Sequence, residues 1–373
     1  MQQTIRFGII GYGFMGRTHA WGCRSLPFFY RDLPFRVELA AAASPSEHSR
    51  SLAQAEAGFP LVTDDWRRLV ESPGIDAVAI CTPNAMHRDM LLAAIAAGKH
   101  IYCDKPLTAC AAEADDIVSA LKDYAPTHQT VFNYRFFASS LRAKELIDEG
   151  RIGQVTAFRA MYLHSGSISP DRPMGWKQRE GGGVLLDLGS HALDLVRWLI
   201  GDPESVWAAS RVLYPQRPLA CGGCEPVTQE DHCLLTVRMG DGAVGTVEAS
   251  KIATGVDDLL KIEIHGTKGA LSLDLSDADH LMFYDESNPE APYGGERGFQ
   301  KIRSGQRYPA PAAFPPYKNS SGWLRSHAHC LYSFFNSVYS GKPASPSLID
   351  GAAVQKLMGA AQRSFASGVW EKV

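Results

Sequence analysis

Along the first third of the chain, apolar residues fall into short continuous runs separated by longer amphipathic stretches. Ile5 to Ile10, Arg36 to Ala43, Asp76 to Cys81 and Ile101 to Cys103 read as buried strands. Between the last two, Met86 to Ala97 carries apolar residues at helical spacing and stops at Gly98. Strands that alternate with helices predict right-handed crossovers and a parallel, doubly wound sheet. From about Gln129 the pattern changes. Val155 to Tyr162, Cys233 to Met239, Ala243 to Ser250, Leu260 to His265 and Ala270 to Leu275 are strand-like, with turn signals such as Gly240-Asp241-Gly242 and Gly266-Thr267-Lys268-Gly269 between them. They predict a second, α+β domain on a large, mostly antiparallel open sheet. The chain is thus read as α/β overall, with domains at 1–128 and 129–373. Tyr293 to Pro316, rich in proline and glycine, is expected to be a long loop able to cover a site.

Composition changes this picture little. The 373 residues suit two domains of roughly 100–200 residues each. Lysine plus arginine number 37 against 40 acidic residues, a formal charge of −3, so no basic field invites nucleic acid or an anionic membrane. No apolar run is long enough to span a bilayer, and Gly8 to Gly16 lie too near the start for a signal peptide. The eight cysteines are scattered, several within apolar runs, and predict buried thiols in the cytoplasm.

Chemistry concentrates in three places. Gly11-Tyr12-Gly13-Phe14-Met15-Gly16 follows the first strand and opens a helix. Gly11 permits the tight turn, Gly13 the approach of a pyrophosphate and Gly16 close packing of helix on strand, which predicts a dinucleotide site. The ribose-reading carboxylate expected at the end of the second strand is missing: Ser44 stands there, with Ser46, His48 and Arg50 after it. Arg50 suits a 2′-phosphate or is simply an exposed helix residue, so both NAD and NADP stay open. Thr82, Pro83, Asn84 and His87 follow the third strand, and Asp104-Lys105-Pro106 ends the next, all at the edge of the sheet where ligands bind. Pro106 keeps Lys105 out of helical geometry and aims its ammonium outward.

The third place follows Gly181-Gly182-Gly183. With about 100° per residue, Asp187, His191, Asp194 and Trp198 share one narrow stripe of an otherwise apolar helix. Such groups must be paired or face a cleft, and Asp187 with His191 at i, i+4 can pair. A hydride transfer from an alcohol needs a base and a cation at the developing alkoxide. His191 and Lys105 suit these roles, with Asp187 orienting the imidazole or holding a hydroxyl. Cys221, Cys224, His232 and Cys233 lack regular zinc spacing, adjacent His232 and Cys233 should face opposite ways, and a flexible loop around Cys221 and Cys224, with no metal, is expected.

Together the glycine fingerprint, Cys81-Thr82-Pro83-Asn84 with His87, Asp104-Lys105-Pro106 and Asp187-Leu188-Gly189-Ser190-His191 resemble the glucose–fructose oxidoreductase/inositol dehydrogenase (Gfo/Idh/MocA) family over nearly the whole chain. Phe14-Met15-Gly16 with His19, and Phe132-Asn133-Tyr134-Arg135, are similar to the branch that contains levoglucosan dehydrogenase. The resemblance implies an N-terminal Rossmann domain, NAD(P)-dependent redox chemistry on sugars or cyclitols, homo-oligomers, and Lys105, Asp187 and His191 as the catalytic trio. Asp104 departs from the family's usual glutamate, and Ser44 from its NAD-using members. Asn133 is expected at cofactor or substrate, and Tyr134, Arg135, Tyr162, His164 and Trp176 at the substrate, where polar and aromatic groups suit a polyol. A dinucleotide-bound regulator without chemistry, or an NAD-dependent glycoside hydrolase, are the competing readings.

Overall fold

A computed structural model describes residues 2–320 and 322–373. The chain divides into two compact units, Met1–Phe136 with Tyr308–Ala353, and Phe137–Arg307 with Val354–Val373.

In the first unit, β1 (Gln3–Ile10), β2 (Phe35–Ala43), β3 (Leu61–Thr63), β4 (Ala77–Ile80), β5 (His100–Asp104) and β6 (His128–Val131) form one sheet in the order β3-β2-β1-β4-β5-β6. Every neighbouring pair is parallel. The crossovers carry α1 (Phe14–Phe29), α2 (Glu47–Ala57), the single turn α3 (Arg67–Val70), α4 (His87–Ala96) and α5 (Ala111–Ala120). Ser46 starts α2 by accepting the Ser49 N–H at 3.3 Å, a side-chain cap for an orphan donor. On one face of the sheet, Phe7 packs edge-on against Phe335 from the helix Trp323–Ser340, with ring centroids 5.0 Å apart.

The second unit contains α6 (Ala138–Asp148), β7 (Val155–Leu163), α7 (Ser190–Ile200), β8 (Pro203–Arg211), β9 (Gln216–Pro218), β10 (Cys224–Pro226), β11 (His232–Met239), β12 (Val244–Ser250), β13 (Leu259–Gly266), β14 (Gly269–Asp274), β15 (His280–Asp285), β16 (Gln300–Arg303) and, near the end of the chain, β17 (Glu371–Lys372). Nine strands make one sheet, ordered β16-β15-β14-β13-β7-β12-β11-β8-β17, and every pairing is antiparallel except β7 with β12. The period-two pattern has its cause here: in β11, Cys233, Leu235 and Val237 are buried while Leu234 and Arg238 are not.

Four details differ from the sequence reading. The 128/129 boundary falls inside the first unit, because β6 completes the parallel sheet and 308–353 returns to it. Its His-Gln-Thr-Val sequence is too polar to announce a buried strand. The expected loop at 293–316 contains β16, an added edge strand. The segment around Cys221 and Cys224 is a two-stranded ribbon of β9 and β10 rather than a plain loop. The helix expected from Val184 begins with a π-helical turn, Leu185–Gly189, before α7.

Candidate active site

In the first unit, the glycine turn behaves as its residue types demand. Gly11 has φ +92°, and a Cβ there would sit 2.6 Å from the Cys81 carbonyl oxygen. A Cβ on Gly16 would fall 2.1 Å from the Gly11 carbonyl oxygen, so strand and helix approach as closely as backbone allows. A Cβ on Gly13 would meet nothing within 4 Å. Gly13 is the N-cap of α1 and no side chain caps that terminus, leaving backbone N–H groups suited to a diphosphate. The residues present therefore fit a dinucleotide. Phe14 is exposed and stacks on Trp323 at 5.6 Å, while Met15 is half-buried.

At the end of β2, Ser44 is buried and its hydroxyl accepts the Ser46 N–H at 3.3 Å. Arg50, on α2, turns back to the connection after β2, donating to the carbonyls of Ser44 at 2.8 Å and Pro45 at 2.9 Å. Its expected reach toward a 2′-phosphate competes with these bonds.

The loops after β4 and β5 are tied together by His87. Its ring is fully buried, with Nε2 2.8 Å from the Thr82 carbonyl and Nδ1 3.1 Å from that of Pro106. Burial lowers its pKa although those carbonyls pull the other way. His87, expected at the cofactor, thus braces Thr82-Pro83-Asn84 against the Lys105-Pro106 turn. Asn84 is buried, and Lys105 is half-buried directly after β5. Behind Lys105 the Asp104 carboxylate meets His19 Nε2 at 2.9 Å. Burial raises the Asp104 carboxyl, but the charge and hydrogen bond of His19 outweigh it and hold the carboxyl below its usual range. Burial and Asp104 push the Cys81 thiol up. The ligand atoms of His19, Cys81 and Asp104 lie within 4.8 Å of one another. Asn133 is buried and donates to Ser326 Oγ at 3.1 Å. Tyr134 is buried, and Arg135, also expected at the substrate, is buried with its guanidinium 3.8 Å from Asp350.

In the second unit, the parallel pair β7 and β12 ends at one edge, and the ladder runs on past it: the His164 N–H donates to the Ser250 carbonyl at 2.9 Å, and the Ser167 N–H to that of Lys251 at 2.7 Å. The π turn lies over β12, for a Cβ on Gly189 would come 3.7 Å from Ala249 Cβ. Gly181-Gly182-Gly183 allows this arrangement. A Cβ on Gly182 would sit 2.4 Å from the Lys177 carbonyl, and one on Gly183, at φ +99°, 2.5 Å from Glu230 Oε1. Glu230 Oε1 in turn accepts the Leu185 N–H at 2.9 Å.

These restraints gather the chemistry. Asp187 sits in the π turn, a feature common at functional sites. Its Oδ2 accepts from Lys177 Nζ at 2.7 Å and from Lys251 Nζ at 3.0 Å. His191, on the first turn of α7, is buried with its ring 5.9 Å from that of Tyr162. Asp194 is buried on the same helix. Burial, then the charge of Lys251, pushes His164 down to about 4. Trp176 is exposed, with Lys177 Nζ 5.6 Å over its ring. Sequence reasoning gave Asp187 only His191 as a partner and missed Lys177, Lys251 and Glu230; it noted His19 only as part of a resemblance. Lys251 had a signal: it keeps the parity of buried Val247 and Ala249, the core face of β12.

Comparison with known proteins agrees. Residues 5–131 match the model for the oxidoreductase family with an NAD-binding Rossmann fold, and residues 140–272 that for the GFO/IDH/MocA C-terminal domain. Levoglucosan dehydrogenase of Pseudarthrobacter phenanthrenivorans is 32% identical, over 100% of this chain and 98% of that protein. Myo-inositol 2-dehydrogenase of Thermotoga maritima is 26% identical, over 97% and 96%. The solved structure of a levoglucosan dehydrogenase in complex with NADH and levoglucosan superposes with a TM-score of 0.94 at 33% identity, over 100% of both chains. The chain belongs to the Gfo/Idh/MocA family of oxidoreductases, and its first unit carries the NAD-binding Rossmann domain. All eight cysteines are free thiols, and no helix among the described residues is long and apolar enough to cross a membrane.

Proposed function

We propose that the protein is a cytoplasmic, homo-oligomeric dehydrogenase that moves a hydride between NAD(P) and a secondary hydroxyl of a sugar, anhydrosugar or cyclitol. The observation that carries the reading is the group of Asp187, His191, Tyr162, Lys177 and Lys251 at the shared end of β7 and β12. Donors, acceptors and aromatic faces of this kind suit a polyol rather than an apolar substrate. The names of the relatives above, which act on levoglucosan and inositol, support the same class.

In this mechanism His191 takes the proton of the reacting hydroxyl, and the Lys105 ammonium stabilises the negative charge that grows on its oxygen. Asp187, held by two ammoniums, positions a substrate hydroxyl. A bound dinucleotide would supply the hydride acceptor, and loss of one proton and one hydride from the carbinol would leave a ketone. Gly11, Gly13 and Gly16 would hold its diphosphate at the start of α1, and Ser44 would meet its ribose. Ser44 does not repel a 2′-phosphate, so both dinucleotides are admitted.

The test is a panel of polyols, anhydrosugars and free sugars, with either dinucleotide, read by the absorbance of reduced nicotinamide. At least one should give substrate-dependent reduction. Dinucleotide binding without turnover on the whole panel would leave a non-catalytic regulator, and glycosidic cleavage without net reduction would leave a hydrolase.

A further inference from the structure

Lysine at a core position of a strand needs a reason. Lys251 is 5% exposed, one step beyond β12 on the face that buries Val247 and Ala249. An ammonium taken out of water is costly unless paired, and a methionine of similar length would fill the same space. Its pair is Asp187, 3.0 Å away. Lys177 contacts the same oxygen, but its side chain is 41% exposed, whereas that of Lys251 is 6% exposed. Glu230, a second carboxylate whose charge acts on Lys251, is engaged by the Leu185 N–H. The two lysines are therefore not equivalent: Lys251 is fixed by the fold and Lys177 reaches in from a surface turn.

We infer that Lys251 is a positioning residue of the active site, which fixes the Asp187 carboxylate beside His191 so that it meets the substrate in one orientation. This deepens the dehydrogenase reading and rests on it. The π turn supplies the complementary reason. It leaves the α-helical register that would otherwise set the direction of Asp187, and a side chain on such a turn needs an outside anchor to be held. Burial lowers the Lys251 pKa, while Asp187 and then Glu230 oppose that shift and Lys177 adds to it; His164 faces the same ammonium.

Lys251→Met should lower kcat by about a hundredfold, the scale of a misplaced reacting group, with NADH affinity unchanged. Lys251→Arg should recover most of it, because it restores a cation to Asp187. Parent-like kcat in a folded Lys251→Met protein overturns the proposal, as does a loss that Lys251→Arg leaves unrepaired. A measurement independent of turnover separates this from failure of the dehydrogenase reading: NMR titration of ε-13C-labelled lysines, in the parent and in Asp187→Asn. Lys251 should titrate below ordinary lysine in the parent, and lower still in Asp187→Asn. A midpoint unmoved by Asp187→Asn overturns the anchoring even if no sugar is ever oxidised.

Discussion

His19 Nε2 lies 2.9 Å from Asp104 Oδ1, joining α1 to the end of β5 with both side chains buried. The pair is placed immediately before Lys105, so it fixes the strand end from which that ammonium emerges. Removing one partner strands the other. His19→Leu should cost about 3–5 kcal/mol, the penalty for leaving a buried charge uncompensated. Urea unfolding of parent and variant measures it, and a change below about 1 kcal/mol, the scale of a surface pair, would show that the pair contributes no more than an exposed one. Asp104 adds a pH signature. Its carboxyl is held below the ordinary aspartate value of 3.8, so its contribution is full above that value and is lost only as pH falls further.

Gly16→Ala should disturb the first unit more than Gly13→Ala. A methyl on Gly16 meets backbone at 2.1 Å, whereas one on Gly13 meets no protein atom within 4 Å. The first should lower the unfolding temperature by several degrees, the response to a few kcal/mol. The second should leave stability nearly unchanged and weaken dinucleotide binding, since the space belongs to the ligand. Thermal melts paired with NADH fluorescence titration separate these outcomes. Equal effects of the two substitutions on binding and on stability would contradict the division of roles.

Ser44→Asp should shift dinucleotide choice toward NADH. A carboxylate at the end of β2 binds the ribose 2′-hydroxyl and repels a 2′-phosphate. Titrating NADH and NADPH against parent and variant reads the ratio of dissociation constants, which should move at least tenfold; a ratio that stays put would remove Ser44 from the ribose site. Arg50 is engaged by the Ser44 and Pro45 carbonyls, so Arg50→Ala should change the NADPH affinity less than Ser44→Asp does.

The parts of this architecture that were legible in the sequence are those where local rules and the fold agree. Gly11 and Gly16 each meet a backbone demand that no other residue type satisfies, and β11 alternates because one of its faces is core. Less legible were the features that depend on distant partners. Nothing local tells that Lys177 and Lys251 share one oxygen of Asp187, or that His87 braces two loops rather than facing a ligand. The helical wheel also failed at its start, because the π turn changes the register of Asp187 relative to α7. Gly183 and Glu230, which meet at the start of that turn, lie 47 residues apart, beyond any periodicity argument.

His327 predicts a loss of stability in acid. The ring is buried on the helix Trp323–Ser340, and neither nitrogen has a hydrogen-bond partner among the described residues. Burial first, and then the charge of His19, push it down to about 3 from 6.5. Protonation therefore favours the unfolded chain: the stability is full above pH 6.5 and falls as pH drops from there toward 3. His327→Phe should flatten the decline of melting temperature between about pH 7 and pH 4, without restoring it fully, since His329 is also pushed down to about 3. An unaltered slope in the variant would place the acid sensitivity elsewhere.

Lys105→Ala separates binding from chemistry. Lys105 follows β5 at the sheet edge that carries the glycine turn, but the diphosphate cradle is made of backbone and needs no ammonium. The substitution should thus leave NADH affinity close to that of the parent and reduce turnover by orders of magnitude, through loss of the cation proposed to stabilise the developing alkoxide. Lys105→Arg restores charge but not the compact geometry of an ammonium, and should recover only a small part of the rate. Fluorescence titration with NADH gives the first quantity and steady-state turnover on the best sugar of the panel gives the second. Full turnover in Lys105→Ala would remove it from the reaction and leave the acid–base work to the second unit alone. A matching loss of NADH affinity would instead make it a cofactor ligand.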